Sequence, residues 1–126
     1  TNSLERLRLT GFVLSEKLKV LSEYRTAYMT LSAEELKKFG SQTGDTEGLV
    51  NYPLTIKNVK VAVLVKQEPK IIKLSFRSKG EISVEKICRE NFEGGGHRNA
   101  SGGRSFLTLD ETIDKIINIF TKEKLV

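Results

Sequence analysis

The chain has 126 residues, 38% hydrophobic and 29% charged, with a net charge of +5. That length suits one ordinary domain, and that balance excludes a disordered polymer. No apolar run nears the ~20 residues of a membrane span, and the single cysteine, Cys88, excludes an intrachain disulfide and a cysteine-rich metal cage. The basic excess favours an anionic partner such as nucleic acid, nucleotide or phosphate. The charge is spread along the chain, however, so solvated surface lysines account for it equally well. A lone cysteine fits a reducing cytoplasm. The opening "TNSLERLRL" lacks the basic flank and apolar block of a signal peptide, and a start at Thr1 fits a piece of something longer.

In chain order, Leu4, Leu7, Gly11, Leu14, Leu18 and Leu21 recur at steps of three and four. They predict an amphipathic helix over residues 4–21, interrupted near Gly11. "YRTAYMTL" from Tyr24 is rich in aromatic and β-favouring residues and reads as a strand. Ser32 caps a short helix, "SAEELKKF", that Gly40 ends. "GSQTGDTEGLVNYP" reads as a loop entering a helix capped by Asp45 or Thr46, with Pro53 opposing its continuation.

The apolar run Val59–Val65 predicts a central strand covered on both faces. After the tight turn "EPK", "IIKLSFRS" alternates, with Ile72, Leu74 and Phe76 on one side and Lys73, Ser75 and Arg77 on the other. The two form a hairpin. Ser83 is placed to cap the helix "VEKICRENF", with Val84, Ile87, Cys88 and Asn91 inward. "RSFLTL" reads as a last strand. Thr108 and Glu111 match a capping box before a helix that buries Ile113, Ile116, Ile117 and Phe120. The expected fold is a single α/β domain with a mixed sheet of four to five strands and flanking helices.

Between the last helix but one and the last strand lies "FEGGGHRNASGG", residues 92–103, with five of the ten glycines and the only histidine. Glycine lets a ligand approach the backbone, and successive free amides make an anion site. A short helical turn in "HRNAS" would aim more amides there. His97 adds a donor that can also carry charge and an imidazole face for a base, with Arg98 and Arg104 near in sequence. The alternative is a tight helix-to-strand turn that His97 merely fills. The spacing fits neither a dinucleotide fingerprint nor a P-loop, and one histidine makes no metal cage. Arg77 is either a two-pronged phosphate grip or part of a solvated strand face. Thr46 and Glu47 either touch a ligand or cap a helix. Cys88 reads as inert packing, and Tyr24, Tyr28 and Tyr52 as core or rim.

In this order, "DTEGLVNYP", "VKVAVLVKQ" and "KLSFRSKGEISVEKICRENFEGGGHRNASGG" resemble the C-terminal DHH-associated domain of DHH-family phosphoesterases. The resemblance covers residues 44–122 and is closest to the nanoRNase and phosphoadenosine-phosphate phosphatase branch, also labelled exopolyphosphatase-related. It implies a two-lobed, cytoplasmic enzyme. The N-terminal DHH lobe would hold two manganese ions and perform hydrolysis, and the C-terminal lobe would hold substrate. Residues 1–22 would be a connector helix from that missing lobe, and residues 23–126 the substrate-binding domain. Gly94, Gly95, Gly96 and His97 would be the substrate loop. Arg77, with Ser78 beside it, would bind phosphate. Thr46 and Glu47 would face the cleft.

This chain has no "DHH" triplet, so it is expected to bind no manganese and to be inactive alone. Asn99 would also belong to the substrate-binding loop, but after His97 this chain reads Arg98, Asn99, Ala100, Ser101 where relatives commonly have a basic residue and two alanines, and Asn99 and Ser101 leave substrate preference open. The implied partners are short single-stranded RNA or a nucleotide and the N-terminal lobe, with no membrane and with a homodimer left open. Two other readings stay open. One is a linear or cyclic dinucleotide phosphodiesterase lobe. The other is the non-catalytic nucleic-acid-binding and dimerising module of alanyl-tRNA synthetases.

Overall fold

The longest apolar run becomes the strand on which everything else is assembled. In a computed structural model that describes residues 3–123, β3 (Val61–Gln67) lies inside a six-stranded sheet. Its neighbours are β2 (Thr26–Leu31) and β4 (Ile72–Ser78). Beyond them come β1 (Lys19–Leu21), β5 (Gly95–His97) and β6 (Ala100–Ser105). The order is β1-β2-β3-β4-β6-β5. Only β2 and β3 pair in parallel. A parallel pair needs a crossover; here it carries α2 (Ala33–Lys38) and a 3-10 helix, Leu49–Thr55.

Alternation along β3 builds two cores, one per face. Val61, Val63 and Val65 join Leu74 and Phe76 of β4, and are covered by α3 (Glu85–Asn91) and α4 (Leu109–Glu123). Ala62 and Leu64 face the other way, under α1 (Leu4–Phe12) and the 3-10 helix. Phe76 is fully buried, with ring centroids 5.8 Å from Phe92 and 6.4 Å from Phe120. The α/β class and mixed sheet are as expected, with six strands in place of four to five.

Several local expectations need correction. α1 ends at Phe12, a π turn runs over Val13–Lys17, and Leu18 is already extended. Residues 19–21 join the sheet instead of continuing the helix. The leucine repeat marks the buried face only in its second half, where Leu14 and Leu18 pack against the core. Leu4 and Leu7 are 56% and 54% exposed, whereas Leu9 and Val13 are buried in the core. Gly48, at φ +81°, and no side chain, precedes the 3-10 helix. Asp45 instead accepts from the Gln42 N–H. Pro53 sits inside that helix because its fixed φ suits 3-10 geometry. Ser83 does not cap α3. On α4 the inward residues are Thr112, Ile116 and Phe120, with Ile113 and Ile117 only half-buried. The last strand starts at Ala100 and stops at Ser105, leaving Phe106 and Leu107 exposed.

The expected capping box forms at α4, and a second one forms at α2. Thr108 Oγ1 accepts from the Glu111 N–H, and Glu111 Oε1 accepts from the Thr108 N–H. Ser32 and Glu35 exchange the same pair of bonds at α2, and Glu35 also meets Lys17 at 3.2 Å. Burial pushes the Glu35 carboxyl up, but the Ser32 N–H and the Lys17 ammonium together outweigh it and hold it below its usual value of 4.5. A carboxyl lowered on folding stabilises the fold above its unfolded value and loses that contribution as pH falls through its folded value. Glu35→Ala is therefore expected to cost about 1 kcal/mol, or roughly 3–6 °C in Tm, at pH 7. The deficit should narrow at pH 3. Thermal melts at the two pH values check this, and an equal deficit at both would leave the charge no role.

Candidate substrate-binding site

Residues directly opposite in an antiparallel ladder share a sheet face. The register therefore lays out rows on the face away from α3 and α4. Ala62, Arg77, Ala100 and His97 form one row across β3, β4, β6 and β5. Leu64, Ser75 and Gly102 form the next. Lys66, Lys73 and Arg104 form the third. Helices cover the β2 and β3 half of this face through Ala62 and Leu64. Over β4 and β6 it stays accessible, with Lys73 and Arg104 exposed and Ser75, Arg77, Ala100 and Gly102 half-buried.

Between this face and the loop at residues 41–48 opens a cleft of about 620 Å³. Arg77, Ser75, Lys73 and Lys66 line one wall, and Thr46 and Glu47 the other. The volume is that of a small-molecule site. Thr46 Oγ1 accepts a hydrogen bond from Lys66 Nζ at 3.2 Å, and Lys66 also meets Glu68 at 3.6 Å. The exposed Glu47 gives its carbonyl to Arg6 at 3.0 Å. Arg77 Nη1 donates to the Phe76 carbonyl at 2.9 Å. None of the four ion pairs among the described residues engages Arg77, Lys73, Arg104 or His97. On this wall Lys66 is paired with Glu68, while Arg77 and Lys73 present positive charge outside any ion pair among the described residues.

The glycine stretch forms no nest and no helical turn. It is a β-hairpin, with Arg98 and Asn99 as the two residues between His97 and its partner Ala100. The glycines first serve neighbouring backbone. A Cβ on Gly94 would run into the Gly102 carbonyl oxygen, one on Gly103 would lie 2.6 Å from Phe92 Cβ, and one on Gly96 2.7 Å from the Ala100 oxygen. The hairpin also brings His97, exposed, into the row of Arg77. β5 ends the sheet, so one of its edges is unpaired.

Ser78 and Asn99 have other work. Adjacent strand residues point to opposite faces, so Ser78 lies under the sheet from Arg77. It is buried and donates to the Ile82 carbonyl at 2.6 Å. Asn99 Nδ2 donates to Ser78 Oγ at 3.0 Å and to the Gly80 and Ile82 carbonyls. The pair pins the hairpin turn to the loop before α3. Arg77, Thr46 and Glu47 therefore share the cleft, His97 shares Arg77's row, and Gly94, Gly95 and Gly96 lie on or before the edge strand. Sequence reasoning missed Lys66 and Lys73. The polar side of β4 announced Lys73, but Lys66 was masked by an apolar run that looked covered on both faces.

Cys88 is fully buried, and its thiol is pushed up to about 12, mainly by burial and further by the Glu85 charge. Among the described residues no group of three His, Cys, Asp or Glu side chains is placed to hold a metal ion. No helix among them is long and apolar enough to cross a membrane.

Comparison with known proteins bears on the chain's family and fold. The chain is 32% identical over 114 residues to the bifunctional oligoribonuclease and PAP phosphatase NrnA of Bacillus subtilis, covering 90% of this chain and 34% of that protein. An exopolyphosphatase-related protein from Bacteroides fragilis superposes with a TM-score of 0.95 at 42% identity, over 98% of this chain and 36% of that one. The pGpG-specific phosphodiesterase PggH from Vibrio cholerae shares the fold, with a TM-score of 0.64 at 13% identity, over 94% of this chain and 38% of that one. The chain thus spans about a third of the length of the relatives it matches. The DHHA1 domain matches residues 23–123, and the chain belongs to that family.

Proposed function

We propose that this chain is the substrate-holding lobe of a cytoplasmic DHH-family phosphoesterase that hydrolyses short oligoribonucleotides and 3′-phosphoadenosine 5′-phosphate. The observation that carries the reading is Arg77, which lies in the cleft and in one row with His97 and has no carboxylate partner among the described residues. A guanidinium so placed takes a phosphate through two parallel hydrogen bonds. His97 adds a donor or a face for the base, and Thr46 and Glu47 close the opposite wall. Gly94, Gly95 and Gly96 let the edge strand approach the ligand. The described residues offer no ligand set for manganese. That ion and the hydrolysis belong to a lobe within the two thirds of the relatives that this chain does not span. Alone, the chain binds substrate without cleaving it.

An NMR titration of the 126-residue chain tests this. Ligands are 3′-phosphoadenosine 5′-phosphate and a 5′-phosphorylated diribonucleotide, with orthophosphate as control. Shifts should cluster at Thr46, Arg77 and Gly94 to His97 and be larger with the nucleotides. Equal shifts with orthophosphate would reduce the site to a generic anion surface. Shifts elsewhere would remove the assignment.

A further inference from the structure

The third row of the open face is not needed to hold one phosphate at Arg77, and its charge pattern is unusual. Lys73 and Arg104 are direct cross-strand partners on β4 and β6. Like charges placed opposite each other destabilise a sheet, and neither residue has an ion-pair partner among the described residues. The third member, Lys66, is tied to Glu68 and Thr46. Two residues beyond Arg104, Phe106 is 65% exposed, the highest value among the exposed large hydrophobic residues. An unneutralised cation pair with an exposed phenyl ring two residues along the chain is the composition of a single-strand nucleic-acid surface, where cations track phosphates and an aromatic ring stacks a base.

The placement relative to Arg77 gives this pair a role. Four residues of β4 separate Lys73 from Arg77, about 13 Å along the strand. Both line the same cleft, so a ligand can run from one to the other along β4 without leaving it. That span exceeds one mononucleotide's phosphate group and suits a short chain.

We propose that Lys73, Arg104 and Phe106 form a second subsite for a downstream nucleotide of single-stranded RNA whose terminal phosphate sits at Arg77. Lys73 and Arg104 take the downstream phosphate, and Phe106 stacks a base. The subsite rests on the reading of Arg77 given above, and it makes the lobe prefer chains over mononucleotides.

The test is fluorescence anisotropy of the 126-residue chain with 5′-phosphorylated adenosine mononucleotide and triribonucleotide, by competition, over a series of salt concentrations. Wild type should bind the triribonucleotide more tightly. Lys73→Ala/Arg104→Ala should weaken the triribonucleotide by about tenfold and lower the salt slope by about 0.7 for each phosphate no longer neutralised. The mononucleotide should change less than about twofold. Phe106→Ala should weaken the triribonucleotide by roughly fivefold or more with the salt slope unchanged. Lys57→Ala/Lys86→Ala, which removes equal charge elsewhere, should do neither.

Equal losses for both ligands, or a matching loss in the charge control, would overturn the subsite. So would a wild type that binds the two ligands alike. An Arg77→Ala variant that binds the mononucleotide normally would sink the terminal-phosphate reading, and it would do so whatever Lys73→Ala/Arg104→Ala shows.

Discussion

Arg77→Ala is expected to weaken binding of a 5′-phosphorylated diribonucleotide by about 10–100-fold, from the loss of charge-assisted hydrogen bonds of about 1.5–3 kcal/mol. The fold should tolerate the change. Arg77 is half-buried, and among the described residues its one side-chain hydrogen bond goes to the adjacent Phe76 carbonyl and it takes part in no ion pair. Its cross-strand neighbours, Ala62 and Ala100, lose no polar partner. Arg77→Lys should recover only part of the affinity, because an ammonium keeps the charge and loses the planar fork. Isothermal titration calorimetry with melts on the same samples separates the two effects. An Arg77→Ala chain that binds within about twofold of wild type and melts normally would remove Arg77 from the site. His97→Ala should weaken binding less, since an exposed imidazole at the sheet edge holds its ligand in high dielectric.

How legible the site was follows from how far each signal reaches. The alternation of Lys73, Ser75 and Arg77 against Ile72, Leu74 and Phe76 is local, and it gave β4 its two faces correctly. The apolar run at Val59–Val65 likewise announced a strand with helices on both sides. Local signals failed where burial is set by distant partners. The leucines at 4 and 7 fit a helical stripe, but the sheet lies under Leu9 and Val13. Ser78 was paired with Arg77 by adjacency, although a strand turns neighbours to opposite faces. The glycine stretch carries the weakest local signal. Glycine permits many conformations, so composition alone could not tell an amide nest from a hairpin. What decided it was long-range pairing of β6 with β4, and of β5 with β6, which no short window contains. The motif resemblance placed Arg77 and His97 in one site; the register explains how residues 20 positions apart come to share a row.

The hairpin also makes the glycines unequal, and this carries the second large effect. At Gly94 an added Cβ meets the Gly102 carbonyl and comes within 2.6 Å of Gly103 Cα, and both obstacles are backbone. Neither can swing aside without breaking the β6 ladder to β4 or the hydrogen bond from the Arg104 N–H to the Phe92 carbonyl. Gly94→Ala should therefore cost about 1–3 kcal/mol or more, as overpacking does, and lower the Tm by roughly 5–10 °C. At Gly95 the nearest atom to an added Cβ is Glu85 Oε2 at 3.5 Å, an ordinary approach to a side chain able to move. The backbone there, at φ +158°, is one that L residues rarely adopt, so a side chain is strained at Gly95 even though the space is free. Gly95→Ala should keep the melt within about 4 °C of wild type. If the edge strand touches the ligand as proposed, Gly95→Leu should lose binding while remaining folded. Thermal melts and titrations of the three variants test both statements. Equal melts for Gly94→Ala and Gly95→Ala would mean that β5 does not sit tightly against β6. Full binding by Gly95→Leu would confine the ligand to the Arg77 side of the sheet and leave the glycines with a purely structural reason: to let two strands and a helix end meet where no side chain fits.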